Sequence, residues 1–170
     1  SINQDTLNSY NKNTNVNDFE KCIKLIKNVG INVVGLFIFG SDYDTKKTIK
    51  DTVDFAIKND IELAQFSPLT PAPGSDLAKE FIRDNRILTY DWSKYYDYYV
   101  VFKPKNMKPS ELQEEVWKGN KKFYSLRRVL KSILQGNLDV ALFRLKCFYI
   151  LMSSYRKKYY DYSKWLKTVE

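Results

Sequence analysis

Apolar residues recur along the first half of the chain with two alternating periods. In "NDFEKCIKLIKNVG", Phe19, Cys22, Ile23, Ile26 and Val29 fall at helical spacing. Asn17 is placed to cap the start of that helix and Gly30 to end it. "INVVGLFIF" follows, uncharged and rich in β-branched and aromatic residues. It is too short for an independent helix and predicts a strand at about 32–39, covered on both faces. "GSDYDTKKTIKDTVDFAIKND" returns to helical spacing, with Asp44 or Thr45 as cap and Ile49, Val53, Phe55, Ala56 and Ile57 as the apolar face. "IELAQFSPL" predicts a second buried strand at about 63–69, and "GSDLAKEFIRDN" a third helix capped by Ser75, with Leu77, Ala78, Phe81 and Ile82 inward.

Helix and strand in alternation are the pattern of an α/β chain with a parallel sheet. Two strands are too few to close the core of such a sheet, so the α/β portion, residues 1–89, reads as incomplete by itself. From Tyr90 the pattern changes, which places a boundary there. Residues 90–170 comprise an aromatic loop, "RILTYDWSKYYDYYVVFKPKNM" spanning the junction, and a helical region. The loop holds a short strand at Val100–Phe102. One long helix is expected to start at Pro109 and to carry Leu112, Val116, Phe123, Leu126, Leu130 and Ile133 inward until Gly136 and Asn137 break it. A last helix, from about Leu138 to Lys158, mixes "CFYILM" with Arg144, Lys146 and Arg156, giving it a basic polar face.

Composition removes several function classes. The 170 residues contain no histidine, which excludes Ser-His and Cys-His nucleophiles and the commonest transition-metal ligand. The two cysteines, Cys22 and Cys147, are too far apart in sequence to form a metal-binding Cys-x-x-Cys and read as buried thiols. With no apolar run near the ~20 residues of a membrane span and no signal-peptide layout, a cytoplasmic location is expected. Charge is uneven: Ser1–Trp117 holds 15 basic against 17 acidic residues, and Lys118–Glu170 holds 13 against 3. Solvated lysines explain such a basic end more simply than a nucleic-acid partner does, and an amphipathic helix around "LFRLKCFYILM" leaves a membrane surface as a candidate partner.

Against this polar background, "AQFSPLTPAPGS" holds three prolines and no charge. Together with "VVGLFIFGSDYDTKKTIKDTVDFA", "FIRDNRI", "DWSKYYDYYVVF" and "FYSLRRVLK", in that order and spacing, it resembles the later part of radical S-adenosylmethionine enzymes, particularly those with an N-terminal cobalamin-binding domain. The resemblance covers about Ser1 to Leu134. It implies the C-terminal portion of a partial (β/α)6 TIM-like barrel, its last two βα units, followed by a helical C-terminal region. It implies S-adenosylmethionine as cofactor, with Ile38, Gly40, Leu69 and Thr70 beside it and "TPAPGS" as the turn at a strand's C-terminal end, where barrel ligands bind. Asp44 and Thr45 match an acidic-Thr pair of the family, although helix capping explains them. In "DWSKYYDYYVVF", Tyr96, Asp97 and Tyr99 depart from the family's pattern.

In that family, three thiolates of a CxxxCxxC loop hold a [4Fe–4S] cluster that cleaves S-adenosylmethionine to a 5′-deoxyadenosyl radical. Cys22 and Cys147 cannot supply that set, so the resemblance assigns no catalytic residue and no metal ligand to this chain. The expectation is a C-terminal fragment that shapes part of the S-adenosylmethionine pocket and one wall of a substrate site and is inactive alone. Its partner would be the missing N-terminal half of the barrel or another chain, with cobalamin a further cofactor of the parent protein. A first residue other than methionine fits that expectation. The alternatives are a basic helical module that binds nucleic acid or an anionic membrane, and an inactive remnant that self-associates through its open sheet edge.

Overall fold

The computed structural model describes residues 2–96, 98–154 and 159–170. Asp97, in the aromatic loop, lies outside them, as do Arg156 and the expected end of the last helix at Lys158. The described elements run α1 (Gln4–Ser9), α2 (Val16–Asn28), β1 (Val34–Phe39), α3 (Lys46–Lys58), β2 (Leu63–Pro68) and α4 (Asp76–Arg83), a 3-10 turn (Trp92–Lys94), then α5 (Pro109–Phe123), α6 (Leu126–Leu134), α7 (Leu138–Ser154) and α8 (Tyr160–Val169).

The two expected strands form and pair in parallel, with Val34 opposite Leu63 and Phe39 opposite Pro68. Alternation then sorts their side chains. Phe37, Phe39, Ala64 and Phe66 face a core made with Ile49, Val53 and Ala56 of α3 and Leu112, Val116 and Phe123 of α5. Phe66 stacks on Phe37 and Phe39 and meets Phe123 edge-on. The other face of β1 is not covered as its uncharged sequence predicts: Val34, Leu36 and Ile38 are 54–71% exposed. The pattern correctly gave an apolar strand, and the covering layer on that side is what the described residues lack.

Parallel pairing leaves alternate backbone groups of each strand pointing away from the partner. On β1, the carbonyls of Val33 and Phe39 accept from Leu63 and Leu69 N–H, so by the two-residue period Val34, Leu36 and Ile38 turn their amides to the outer edge. On β2 the outward residues are Ala64, Phe66 and Pro68, and several of their backbone groups have partners outside the sheet. The Tyr124 hydroxyl accepts from Ala64 N–H at 3.2 Å and donates to its carbonyl at 2.6 Å. Asn120 Nδ2 donates to Phe66 O at 2.9 Å, and Pro68 has no N–H to satisfy. The β2 edge is covered by Asn120 of α5 and by Tyr124 just after it, whereas among the described residues β1 retains a strand-accepting edge.

Two buried arginines anchor α6 and α7 beneath the start of β2. Arg144, 2% exposed, donates to Glu62 O, Ile61 O and Ser132 Oγ, and Arg128 donates to the same Ile61 carbonyl at 3.0 Å. Both guanidiniums lie over the Phe123 ring. Burial, with the like charge of Arg144, lowers the Arg128 pKa to about 10.

Several expectations change here. The long helix from Pro109 is two helices, because the chain turns at Tyr124, whose hydroxyl is committed to β2, and restarts after Ser125. Leu126, Leu130 and Ile133 consequently face outward. The basic face of α7 loses Arg144 to the interior, while Leu142, Phe143 and Tyr149 are exposed. Asn15, not Asn17, caps α2, and none of the apolar face of α2 is buried. Ile82 is exposed. Cys22 is exposed and Cys147 half-buried, so neither is a fully buried thiol. Val100–Phe102 forms one antiparallel bridge, Ile87 to Phe102, in place of a strand. Thr45 caps α3 and Ser75 caps α4.

Tyr124→Phe removes both hydrogen bonds to Ala64 with little change in volume. Urea unfolding should show a loss of about 1–3 kcal/mol, the cost of stranding a buried backbone pair.

Candidate functional site

Both strands run toward the same end of the molecule, and the turns that leave them there hold the residues singled out by sequence. After β1 the backbone enters Gly40 at φ +102°, a conformation that favours glycine, and a Cβ would stand 2.6 Å from Leu112 and 2.9 Å from Phe102. Asp44, 1% exposed, fixes this turn: Oδ2 accepts from Gly40 N–H at 2.9 Å and Ser41 N–H at 3.0 Å, and Oδ1 accepts from the Thr6 hydroxyl at 3.4 Å. Its role is to hold the loop, leaving the cap of α3 to Thr45.

On the open face of the sheet, Leu36, Ile38, Gln65, Ser67, Leu69 and Thr70 line a cavity of about 330 Å³. Three of the four sequence-selected residues, Ile38, Leu69 and Thr70, are therefore brought together. Gly40 is not among the lining residues; it shapes the strand end behind them. The cavity wall is apolar where Leu36 and Ile38 project. At its upper end the Thr70 hydroxyl oxygen is buried with no hydrogen-bond partner among the described residues. A buried hydroxyl is ordinarily satisfied, so a bare one in a cavity wall marks a place for a polar ligand atom. A flat group with a polar edge, such as an adenine, fits apolar side chains flanked by that hydroxyl.

A second cavity of about 340 Å³ continues from Leu36 and Gln65 toward α7, where Phe143, Cys147, Ile150 and Leu151 form its far wall and Tyr98 and Tyr124 its sides. Helix α7 was missed as a wall of the site. The sequence signal was "CFYILM", apolar on more sides than one packing face requires. The aromatic loop reaches this wall through Gln113, which accepts from Val100 N–H at 2.9 Å and donates to Tyr98 O at 2.7 Å. Tyr162 donates to Val100 O, and burial raises its pKa above the ordinary phenol value.

A third, more polar recess of about 400 Å³ lies beside the turn after β1, lined by Ser41, Asp42, Leu69, Glu80 and Lys105 among others. Asp42 accepts from Arg86 Nη2 at 2.8 Å and pairs with Lys105 at 2.5 Å. Burial pushes the Asp42 carboxyl up, but hydrogen bonds and charge from Arg86 and Lys105 more than offset it and hold it below its ordinary value. Arg86 also lies 4.0 Å over the Phe81 ring and donates to Lys103 O, which ties α4 to the segment before α5. Among the described residues no group of three or more Cys, Asp or Glu side chains is placed to hold a metal ion. The two cysteines of this chain do not make the three-thiolate set of an iron–sulfur cluster.

Comparison with known proteins adds an independent line. The chain is 35% identical over 137 residues, 80% of its length, to bacteriochlorophyllide d C-12(1)-methyltransferase of Chlorobaculum tepidum. It is 35% identical over 133 residues to the C-8(2)-methyltransferase of the same organism. It is 26% identical over 156 residues, 91% of the chain, to the anaerobic magnesium-protoporphyrin IX monomethyl ester cyclase of Rubrivivax gelatinosus. The chain is a relative of these methyltransferases and cyclases. The likeness supports a relationship to radical S-adenosylmethionine enzymes. The chain spans 29%, 29% and 28% of the length of these three relatives. No protein-family model matches it.

The Asp42–Arg86 pair gives a pH-dependent prediction. Because the folded Asp42 carboxyl titrates below its unfolded value of about 4, its contribution is complete above that value. It is lost as pH falls through the lower folded value. Asp42→Asn should cost about 1–3 kcal/mol at neutral pH by leaving buried Arg86 with a weaker partner. Chemical denaturation across the acid range should show a shallower loss of stability for the variant than for the parent.

Proposed function

We propose that this chain is the C-terminal part of a radical S-adenosylmethionine enzyme, in which β1 and β2 are the last two strands of a partial (β/α)6 barrel. The observation that carries the reading is the asymmetry of the sheet. Its β2 edge is covered by Tyr124 and Asn120 and ends in Pro68, while among the described residues the edge of β1 is unpaired and its open face apolar. A terminal strand and its neighbour have this form when the remaining strands precede them. The likeness to relatives of which the matched stretch makes up only 29% and 28% supports the same arrangement.

In this reading the cavity under Thr70 receives the adenosine end of S-adenosylmethionine. Ile38 and Leu69 pack against the base, and the Thr70 hydroxyl takes a polar edge. Gly40 and Asp44 hold the strand end in register with that ligand. The iron–sulfur cluster, and a cobalamin-binding segment, belong to polypeptide outside these residues. Such a cluster, when bound, would supply the electron that cleaves S-adenosylmethionine to a 5′-deoxyadenosyl radical, and the two cysteines of this chain do not make its ligand set. The chain's own contribution is a wall: α7 and Tyr98 extend the apolar slot away from the adenosine and exclude water where a hydrophobic substrate would lie. The tetrapyrroles named for the relatives are substrates of that kind.

Two measurements test the reading. An immunoblot of source cells with an antibody against this region should show a band well above the 20.1 kDa of this chain; a band at that mass, without an associated cluster-bearing partner, overturns it. In the native polypeptide, Thr70→Val should weaken S-adenosylhomocysteine binding about fivefold by equilibrium dialysis, the worth of one hydrogen bond. Unchanged affinity removes Thr70 from the pocket.

A further inference from the structure

The aromatic loop contributes more than the wall at Tyr98, because its rings are in mutual contact. Tyr98, which lines the cavity walled by α7, meets Tyr96 at 5.8 Å between ring centroids and Tyr159 at 6.2 Å. Both of those rings meet Tyr99, Tyr96 at 5.7 Å and Tyr159 at 5.8 Å. From Tyr99 the contacts run in single file, to Tyr162 of α8 at 4.7 Å and from there to the half-buried Trp165 at 5.1 Å. Two routes therefore leave the cavity wall, join at Tyr99 and continue into α8.

Packing alone does not call for these residue types. The core beneath the sheet is built with phenylalanine, and Phe37, Phe39, Phe66, Phe81, Phe102 and Phe123 are all buried there. Among the described residues, every ring in stacking or edge contact with this series is tyrosine or tryptophan instead. Tyr99, Tyr159 and Tyr162 are 5%, 8% and 9% exposed, and each carries a hydroxyl whose desolvation a phenylalanine would avoid. Burial is the largest cause raising the pKa of all three phenols. What a phenol or an indole adds to a ring contact is ease of oxidation: either gives up one electron far more readily than a benzene ring does, and electrons pass between adjacent rings.

We propose that these rings form an oxidation relay that draws a stray oxidising equivalent out of the cavity, an inference that rests on the radical chemistry proposed above. A carbon radical in the cavity takes the hydrogen atom of the Tyr98 hydroxyl, so that an O–H bond breaks and a C–H bond forms. The Tyr98 phenoxyl regains one electron from Trp165 through Tyr162 and Tyr99, and, being half-exposed, one proton from water. Trp165, having lost that electron, gives its indole proton to water and is restored by a hydrogen atom from a small thiol. The net change is one carbon radical reduced and one thiol oxidised to a thiyl radical.

Flash photolysis of the whole chain tests the relay without S-adenosylmethionine or a cluster, so its failure is distinct from failure of the proposed function, which the immunoblot reads. A ruthenium polypyridine oxidant is tethered through Thr168→Cys, one helical turn from Trp165, in a chain that also carries Cys22→Ser and Cys147→Ser. After a flash with a cobalt(III) ammine as electron acceptor, tyrosyl radicals are trapped with a nitroso compound and located by peptide mass spectrometry. Oxidation enters at Trp165 and should be trapped at Tyr98. Tyr99→Phe and Tyr162→Phe, each of which keeps the ring and removes the oxidisable phenol, should abolish trapping at Tyr98. Tyr96→Phe and Tyr159→Phe should each leave most of it, because the other route stays open. Circular dichroism matching the parent keeps a misfolded variant from being read as a broken relay. Absence of trapping at Tyr98 in the labelled parent, or trapping that survives both Tyr99→Phe and Tyr162→Phe, overturns the proposal.

Discussion

A parallel pair of strands can satisfy only half of its backbone amides between its members, and the rest of this structure follows from where the other half go. On β2 they go to α5. The Tyr124 hydroxyl both accepts from and donates to Ala64, Asn120 covers the Phe66 carbonyl, and Pro68 presents no donor. That commitment stops α5 at Phe123 and redirects the chain through Ser125, which in turn brings α6 and α7 under the strand starts. Arg128 and Arg144 then take the carbonyls of Ile61 and Glu62. Burying two guanidiniums side by side is costly, and stacking on Phe123 with four backbone and hydroxyl acceptors nearby offsets the cost.

The same constraint makes the two sides of the sheet unequal. One face is filled by aromatic rings and by α3 and α5; the other presents Val34, Leu36 and Ile38 bare, with the candidate cavity spread across it. The slot is apolar along Leu36 and Ile38 and carries one unsatisfied hydroxyl, that of Thr70, among the described residues.

How well the sequence predicted each feature depended on how local its cause is. Strand positions, the caps at Thr45 and Ser75, and the inward run Ile49, Val53, Ala56 follow from periodicity and capping chemistry within a few residues, and the structure shows them. The resemblance to radical S-adenosylmethionine enzymes singled out Ile38, Leu69 and Thr70, and the fold brings them to one cavity. The misplaced features have distant partners. Leu126, Leu130 and Ile133 continue the stripe of Leu112 and Val116 perfectly well on paper, yet a hydroxyl bond from Tyr124 to a residue 60 positions earlier breaks the helix that would have buried them.

Sequence by itself determined the elements, the apolar character of both strands and the residues at their C-terminal ends, because each is fixed by neighbours three or four positions away or by strict alternation. Tertiary structure decided which edge of the sheet is closed, which arginine is inside, that α7 walls the site, and which leucines face outward. Those outcomes depend on hydrogen bonds between residues 54 to 83 positions apart, and no local pattern encodes which of several equally apolar faces wins the core.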